Sequence, residues 1–258
     1  MKKVLNIILV IPVLYLIAVP VYFAMSVYSK PCSGIDIIIK DSSDYHFVTK
    51  RQLLNLVYGN SGRILGKTLR DVSVSEIESR INGLKELKVA EVYVSIEGIL
   101  HVYVDQRNPV MRVMPDEGGD YFMDEDGVVI RRRNLYTPRL HVVGGNINIS
   151  PAMLNGVSVF DTSIKNTILK DIYQIVNYLN EESFWSAQID QIYVDKNDEI
   201  DFIPRVGNHQ IHLGTLENYE GKLRNLEAFY DKVLPEVGWN KYSLINLEYK
   251  DQIVCKRR

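Results

Sequence analysis

The chain has 258 residues, 46% hydrophobic and 24% charged, with a formal net charge of -2 at pH 7. This is ordinary globular composition, long enough for one large or two small domains. So small a net charge gives no electrostatic case for nucleic acid.

The first element is membrane-like. After a short leader, residues 1–3, the run Val4 to Tyr28 carries no charge over 25 residues. As a helix it spans about 37 Å, against a hydrocarbon core of roughly 30 Å. A cleaved signal peptide has an apolar region of only about 7–15 residues, so an uncleaved anchor is expected. Pro12 and Pro20 kink such a helix without forbidding it. Lys2 and Lys3 place the N-terminus in the cytoplasm and the bulk of the chain outside it. Cys32 lies just past this anchor and Cys255 near the far terminus. Two thiols so placed are expected to lie beyond disulfide reach and to stay free.

Residues 33–108 read as a module of order β-α-α-β-β. Ile35, Ile37 and Ile39 alternate in a first strand. Thr49 with Gln52, and Ser73 with Glu76, then form two capping boxes, each flanked by an apolar staple. Ala90, Val92, Val94 and Ile96 alternate in a second strand and Leu100, Val102 and Val104 in a third, joined at Glu97-Gly98. Two helices on one face of a three-stranded sheet satisfy those apolar faces.

Residues 115–255 read as a second mixed α+β domain with a largely antiparallel sheet. Short strands ("DYFMD", "GVVIR", "RLHVVGG", "QIDQIYVD", "EIDFIPRV", "HQIHLG") are separated by turn residues. Two helices are expected, one through Ile164, Ile168, Ile172, Ile175 and Leu179, the other through Tyr219, Leu223, Leu226, Tyr230 and Val233 before Pro235. The chain closes on "SLINLEYKDQIVCKRR", where Ile245 to Cys255 alternates like one long strand, followed by a basic tail, residues 256–258. If its second half is unpaired, such a strand offers backbone groups to an incoming strand.

No catalytic constellation emerges. "SGRILGKT" lacks the strand that precedes a phosphate-binding loop and reads as the connection between the module's helices. His209 and His212 are three apart in a strand and face opposite sides, which suits no shared metal. Asp124 to Gly127 reads as a hairpin turn with solvated charges, and Arg131, Arg132 and Arg133 as a solvated basic loop. No cofactor is expected.

The order anchor, module, "QRNPVMRV", "YFMDEDG", "RLHVVGG" and terminal "LINLEYKDQIVCKR" resembles the bacterial cell-division family FtsQ, also called DivIB. Arg107-Asn108-Pro109 matches that family's Arg-x-Pro, and Tyr121 or Phe122 with Asp124 and Gly127 its aromatic-Asp-Gly turn. The resemblance implies a POTRA-like module and a non-catalytic divisome scaffold. It is implied to sit at the septum in the inner membrane. The implied partners are bitopic FtsB/DivIC-like and FtsL-like proteins, and beyond them the septal peptidoglycan synthase complex. The implied partner-binding residues are Tyr249, Lys250, Asp251, Gln252, Ile253, Val254, Cys255 and Lys256 of the last strand and Tyr219, Leu226 and Tyr230 of the preceding helix. Two departures stand out: Glu248 replaces the family's frequent arginine, and the polar loop Asp41 to Asp44 replaces a glycine. An envelope-assembly or secretion factor with a single POTRA-like module, or an anchored hydrolase, remains as an alternative.

Overall fold

A computed structural model describes residues 12, 14–22, 29–40, 46–59, 62–133, 138–250 and 252–258. Residues 1–3, most of Val4 to Tyr28, the loop Asp41 to Asp44, Ser61 and Asp251 therefore lie outside the described residues. Within the apolar run, residues 14–22 are helical, and no helix among the described residues is long and apolar enough to cross a membrane. The chain divides into two compact units at Arg107/Asn108.

In the first unit, β1 (Gly34–Ile39), α1 (Lys50–Tyr58), α2 (Val74–Asn82), β2 (Leu87–Val94) and β3 (Ile99–Gln106) follow in the expected order. The sheet order is β1-β3-β2, with β1 parallel and β2 antiparallel to β3. Leu53 and Val57 of α1 and Ile77 and Ile81 of α2 pack with Val92, Leu100, Val102 and Val104 in one core. Burial of each such side chain contributes about 1.5–3 kcal/mol. The β2 edge is covered from α2, where Glu78 accepts from Val92 N (3.1 Å) and Asn82 donates to Ala90 O (3.4 Å). Such capping blunts an edge that would otherwise invite pairing.

Of the two capping boxes, one forms. Thr49 Oγ1 accepts from Gln52 N at 3.2 Å and Thr49 N donates to Gln52 Oε1 at 3.1 Å. Ser73 precedes α2 but makes no side-chain cap bond. The second strand also ends earlier than its alternation predicts. Val94 is half-buried, and Ile96 leaves the core face for the β2–β3 turn, where it is 75% exposed.

In the second unit, β4 (Pro109–Pro115), β5 (Tyr121–Asp124), β6 (Val129–Arg131), β7 (His141–Gly145), β8 (Ile189–Val194), β9 (Ile200–Pro204), β10 (Gln210–Gly214), β11 (Tyr242–Asn246) and β12 (Val254–Arg257) form one nine-stranded sheet. Its order is β12-β11-β10-β9-β8-β7-β4-β5-β6. Three contacts, β10/β11, β7/β8 and β4/β7, are parallel and the rest antiparallel. Pro109 thus opens a strand of this sheet, after β3 has ended at Gln106.

Five helices among the described residues replace the expected two: α3 (Pro151–Leu154), α4 (Leu169–Glu181), α5 (Ser183–Gln188), α6 (Tyr219–Lys232) and α7 (Leu234–Val237). Helix α4 starts after Ile164 because Asn166 takes a left-handed conformation (φ 53°), which breaks a helix. Ile172, Ile175 and Leu179 of α4, Trp185 of α5, and Leu223, Leu226 and Tyr230 of α6 meet Val143, Ile192, Phe202, Ile211 and Ile245 of the sheet in one core. Gly145 in β7 has φ 108°, and a Cβ there would stand 2.0 Å from Val194 O, so only glycine fits.

Two sequence readings need correction. Asp124 is buried, because its Oδ1 accepts from Asp126 N (3.0 Å) and Val128 N (2.7 Å) and so closes the β5–β6 turn from inside. Arg132 is no solvated loop residue either. It donates to Asp120 Oδ2 at 2.7 Å, alongside Arg112, which holds the same carboxylate through Nε (2.8 Å) and Nη2 (2.7 Å).

Candidate functional site

The terminal alternation is a hairpin. Strand β12 folds back on β11, with Ile245 opposite Cys255 and Asn246 opposite Val254. The single long strand from Ile245 to Cys255 is therefore corrected to two short strands joined by residues 247–253. Opposed residues of an antiparallel pair share a face, so the apolar parity runs on through the turn. Leu247, 2% exposed, remains in the core, and Ile253 and Cys255 pack against it half-buried.

The fold-back leaves β12 as one edge of the nine-stranded sheet. The other edge, β6, is three residues long and has α3 packed on it. Backbone hydrogen bonds fix which groups of β12 face outward. Leu247 N donates to His212 O of β10 (2.8 Å), so Asn246 and Leu244 turn toward β12. Arg258 N donates to Lys241 O (3.2 Å), which turns Lys256 and Val254 toward β11. By two-residue alternation, the amides and carbonyls of Cys255 and Arg257 point away from the sheet.

The end of β12 is held in place. Ser243 Oγ donates to Lys256 O (3.2 Å), and the Arg258 guanidinium donates to Asn208 O. Residues 256–258 are thus not a loose tail, since Lys256 and Arg257 belong to β12. On the exposed surface of the hairpin lie Tyr249 (49% exposed), Lys250, Gln252, Val254 (45%) and Lys256. Burial pushes the Cys255 thiol above its usual range, and the thiol is free. A protonated, half-buried thiol is a packing group rather than a nucleophile.

Helix α6 stands beside this edge in part. The Phe229 ring meets Tyr242 of β11 with centroids 6.0 Å apart. The three helix residues expected to touch a partner are placed differently. Leu226 (0% exposed) and Tyr230 (1%) are core residues, a correction that follows from helical phase: the stripe read as a contact surface faces the sheet. Tyr230 hydrogen-bonds the buried His209 at 2.7 Å, and burial lowers the His209 pKa and raises that of the tyrosine. Tyr219 packs edge-on against Tyr178 of α4 at 5.5 Å. Phe229 and Tyr242 stand at this edge without a mark in the sequence, while Arg257 belongs to the basic run read there as a tail. Alternation alone marked none of them, because it does not say which strand becomes an edge.

His209 and His212 do face opposite sides, the first inward to Tyr230, the second half-buried against Asp201 Oδ1 at 2.7 Å. Glu248 has its carboxylate 3.9 Å from His212 Nε2.

A β-α-α-β-β module followed by a large mixed sheet with an open terminal edge defines a two-unit α+β protein of the POTRA-plus-sheet type. Residues 30–105 match the POTRA-like domain, and residues 108–256 match the domain described as FtsQ/DivIB, C-terminal related. The chain belongs to the FtsQ/DivIB family, whose domains point to a scaffold role in cell division. No curated protein matches it.

Proposed function

We propose that this protein is a non-catalytic divisome scaffold that binds an FtsB/DivIC-like protein by strand addition on the outer edge of β12. Through that partner it couples an FtsL-like protein and the septal peptidoglycan synthase complex. The observation that carries the reading is the outward row of backbone groups at Cys255 and Arg257, set in a strand whose other side is fully paired. Strand addition draws its affinity from such main-chain bonds. Lys250, Lys256 and Arg257 would favour an acidic partner segment over a second copy of the same basic edge.

The same proposal places the protein in the inner membrane at the division septum, held by Val4 to Tyr28 with its N-terminus cytoplasmic. Supporting this, Leu14, Leu16, Ile17 and Tyr22 are each more than 60% exposed on a helix without a polar face. An isolated helix that is apolar all round is suited to lipid rather than water. The test combines a fluorescent fusion with pull-down of the full chain from membranes and mass spectrometry. Mid-cell bands together with recovery of an FtsB/DivIC-like protein are expected. Uniform envelope fluorescence with recovery of outer-envelope assembly proteins would replace the division reading with the envelope-assembly alternative.

A further inference from the structure

The chain enters the first unit through a tightly tied segment. Lys30 O accepts from Leu69 N (2.9 Å), Cys32 N donates to Lys67 O (2.8 Å), and Gly66 N donates to Cys32 O (2.9 Å). On its other side the segment meets the β2–β3 turn. Ser33 N donates to Gly98 O (2.9 Å), Ser33 Oγ to Glu97 O (3.3 Å), and Lys30 Nζ to Ile96 O (2.8 Å). The turn is pressed close: at Gly98, φ is 87° and a Cβ would stand 2.9 Å from Pro31 O. The tip of this turn carries Ile96, 75% exposed and the most exposed large apolar side chain among the described residues.

A single exposed isoleucine is ordinary on a protein surface. What distinguishes Ile96 is its fixed distance from the end of the apolar run. Only Ser29 lies between Tyr28 and the tied Lys30, so two Cα–Cα steps, at most about 7 Å of chain, separate them. The headgroup layer of one leaflet is itself about 5–8 Å deep, the difference between the full bilayer and its hydrocarbon core. The run overshoots a 30 Å core by about 3–4 Å at each end when centred on it, so the segment pinned at Lys30 and the tip pinned to it stand at headgroup level or just above it. Lys30, Lys67 and Arg70 are exposed around this tied segment, as are the carboxylates of Glu97 and Asp71, three cations against two anions. That single positive excess suits headgroup phosphates.

We propose that the β2–β3 turn is a second membrane contact: Ile96 enters the bilayer interface while Lys30, Lys67 and Arg70 meet lipid phosphates. The first unit then docks end-on against the membrane instead of swinging on a free linker. The inference rests on the proposed anchoring by Val4 to Tyr28.

The test uses the full chain in vesicles of phosphatidylcholine and phosphatidylglycerol, with Cys255→Ser leaving only the buried Cys32 as a native thiol. A nitroxide is attached at Ile96→Cys or, as control, at Lys85→Cys before the far end of β2, about 25 Å away along the strand. Accessibility to oxygen and to a water-soluble nickel chelate is measured for each. The expected result is a several-fold shift from nickel toward oxygen at position 96 and full nickel access at position 85. Equal nickel access at both sites, in protein that floats with the vesicles, overturns the docking and leaves the anchor standing. Protein that does not float overturns both.

Discussion

Proline at two adjacent positions of β12 separates a partner-facing amide from a structural one. Cys255→Pro removes an amide that points away from the sheet, so no internal bond is lost. Its cost to folding, from the fixed φ and the lost thiol packing, is about 1 kcal/mol, or about 2–4 °C for a unit of this size. Lys256→Pro instead removes a ladder bond to β11 and adds about 1–3 kcal/mol. For the partner the order reverses. At position 255 a bound strand loses one hydrogen bond of about 0.5–1.5 kcal/mol, and the ring holds it away from the next site at Arg257. Together this is about 1–3 kcal/mol, roughly a 5- to 150-fold rise in Kd. Titrating the extracytoplasmic segment of the FtsB/DivIC-like protein against each full-length variant, with thermal unfolding alongside, reads both quantities. Cys255→Ala should bind like the wild type. A folded Cys255→Pro protein with unchanged affinity would refute the edge as the binding site, and gross unfolding would refute the outward amide. Deleting residues 251–258 is a poorer test, since it uncovers β11 as a new edge.

Thr49→Ala should cost the first unit about 1 kcal/mol while Ser73→Ala costs almost nothing, measured by denaturant unfolding, because only Thr49 makes a cap bond. The hydrogen bonds from Arg112, then those from Arg132, hold the Asp120 carboxyl below its usual range. A depressed carboxyl stabilises the fold above its unfolded pKa of about 4 and loses that contribution as pH falls through the lower folded value. Asp120→Asn should therefore destabilise the second unit by about 2 kcal/mol at pH 7 and flatten its acid limb in a pH series of denaturation curves. Gly145→Ala should cost more than about 3 kcal/mol, seen as a large drop in Tm, since the added Cβ meets Val194 O at 2.0 Å.

Much of this architecture is legible in the sequence because burial on one face leaves a period. The Ile35, Leu100 and His141 strands and the α4 and α6 stripes follow from it directly. Parity fails where the chain reverses without punctuation. "LEYKDQ" contains neither glycine nor proline, and opposed residues 245 and 255 share both a face and an odd number, so a hairpin imitates one strand. Composition fails where a polar side chain serves its own backbone: Asp124 reads as a solvated charge and is instead the inner brace of its turn. A cap signature fails where the neighbouring backbone does not present it, as ψ 89° at Ser73 shows against 152° at Thr49. The short helix α3 carries a start signal of its own, Ser150 before Pro151, with the serine hydroxyl accepting from Met153 N. For the candidate site, the terminal alternation was legible, but not which groups face outward. That depends on the pairing of β12 with β11, a contact between residues whose separation sequence period does not encode.

The central claim is that a partner strand hydrogen-bonds the outer edge of β12, and amide hydrogen exchange of the full-length protein, with and without the FtsB/DivIC-like segment, reads it at single residues. The account predicts that the Lys256 amide is protected in both states, whereas the Cys255 and Arg257 amides exchange quickly alone and slow by at least tenfold when the partner is bound. Saturating partner that leaves Cys255 and Arg257 exchanging at their free rates, with new protection elsewhere, would contradict it.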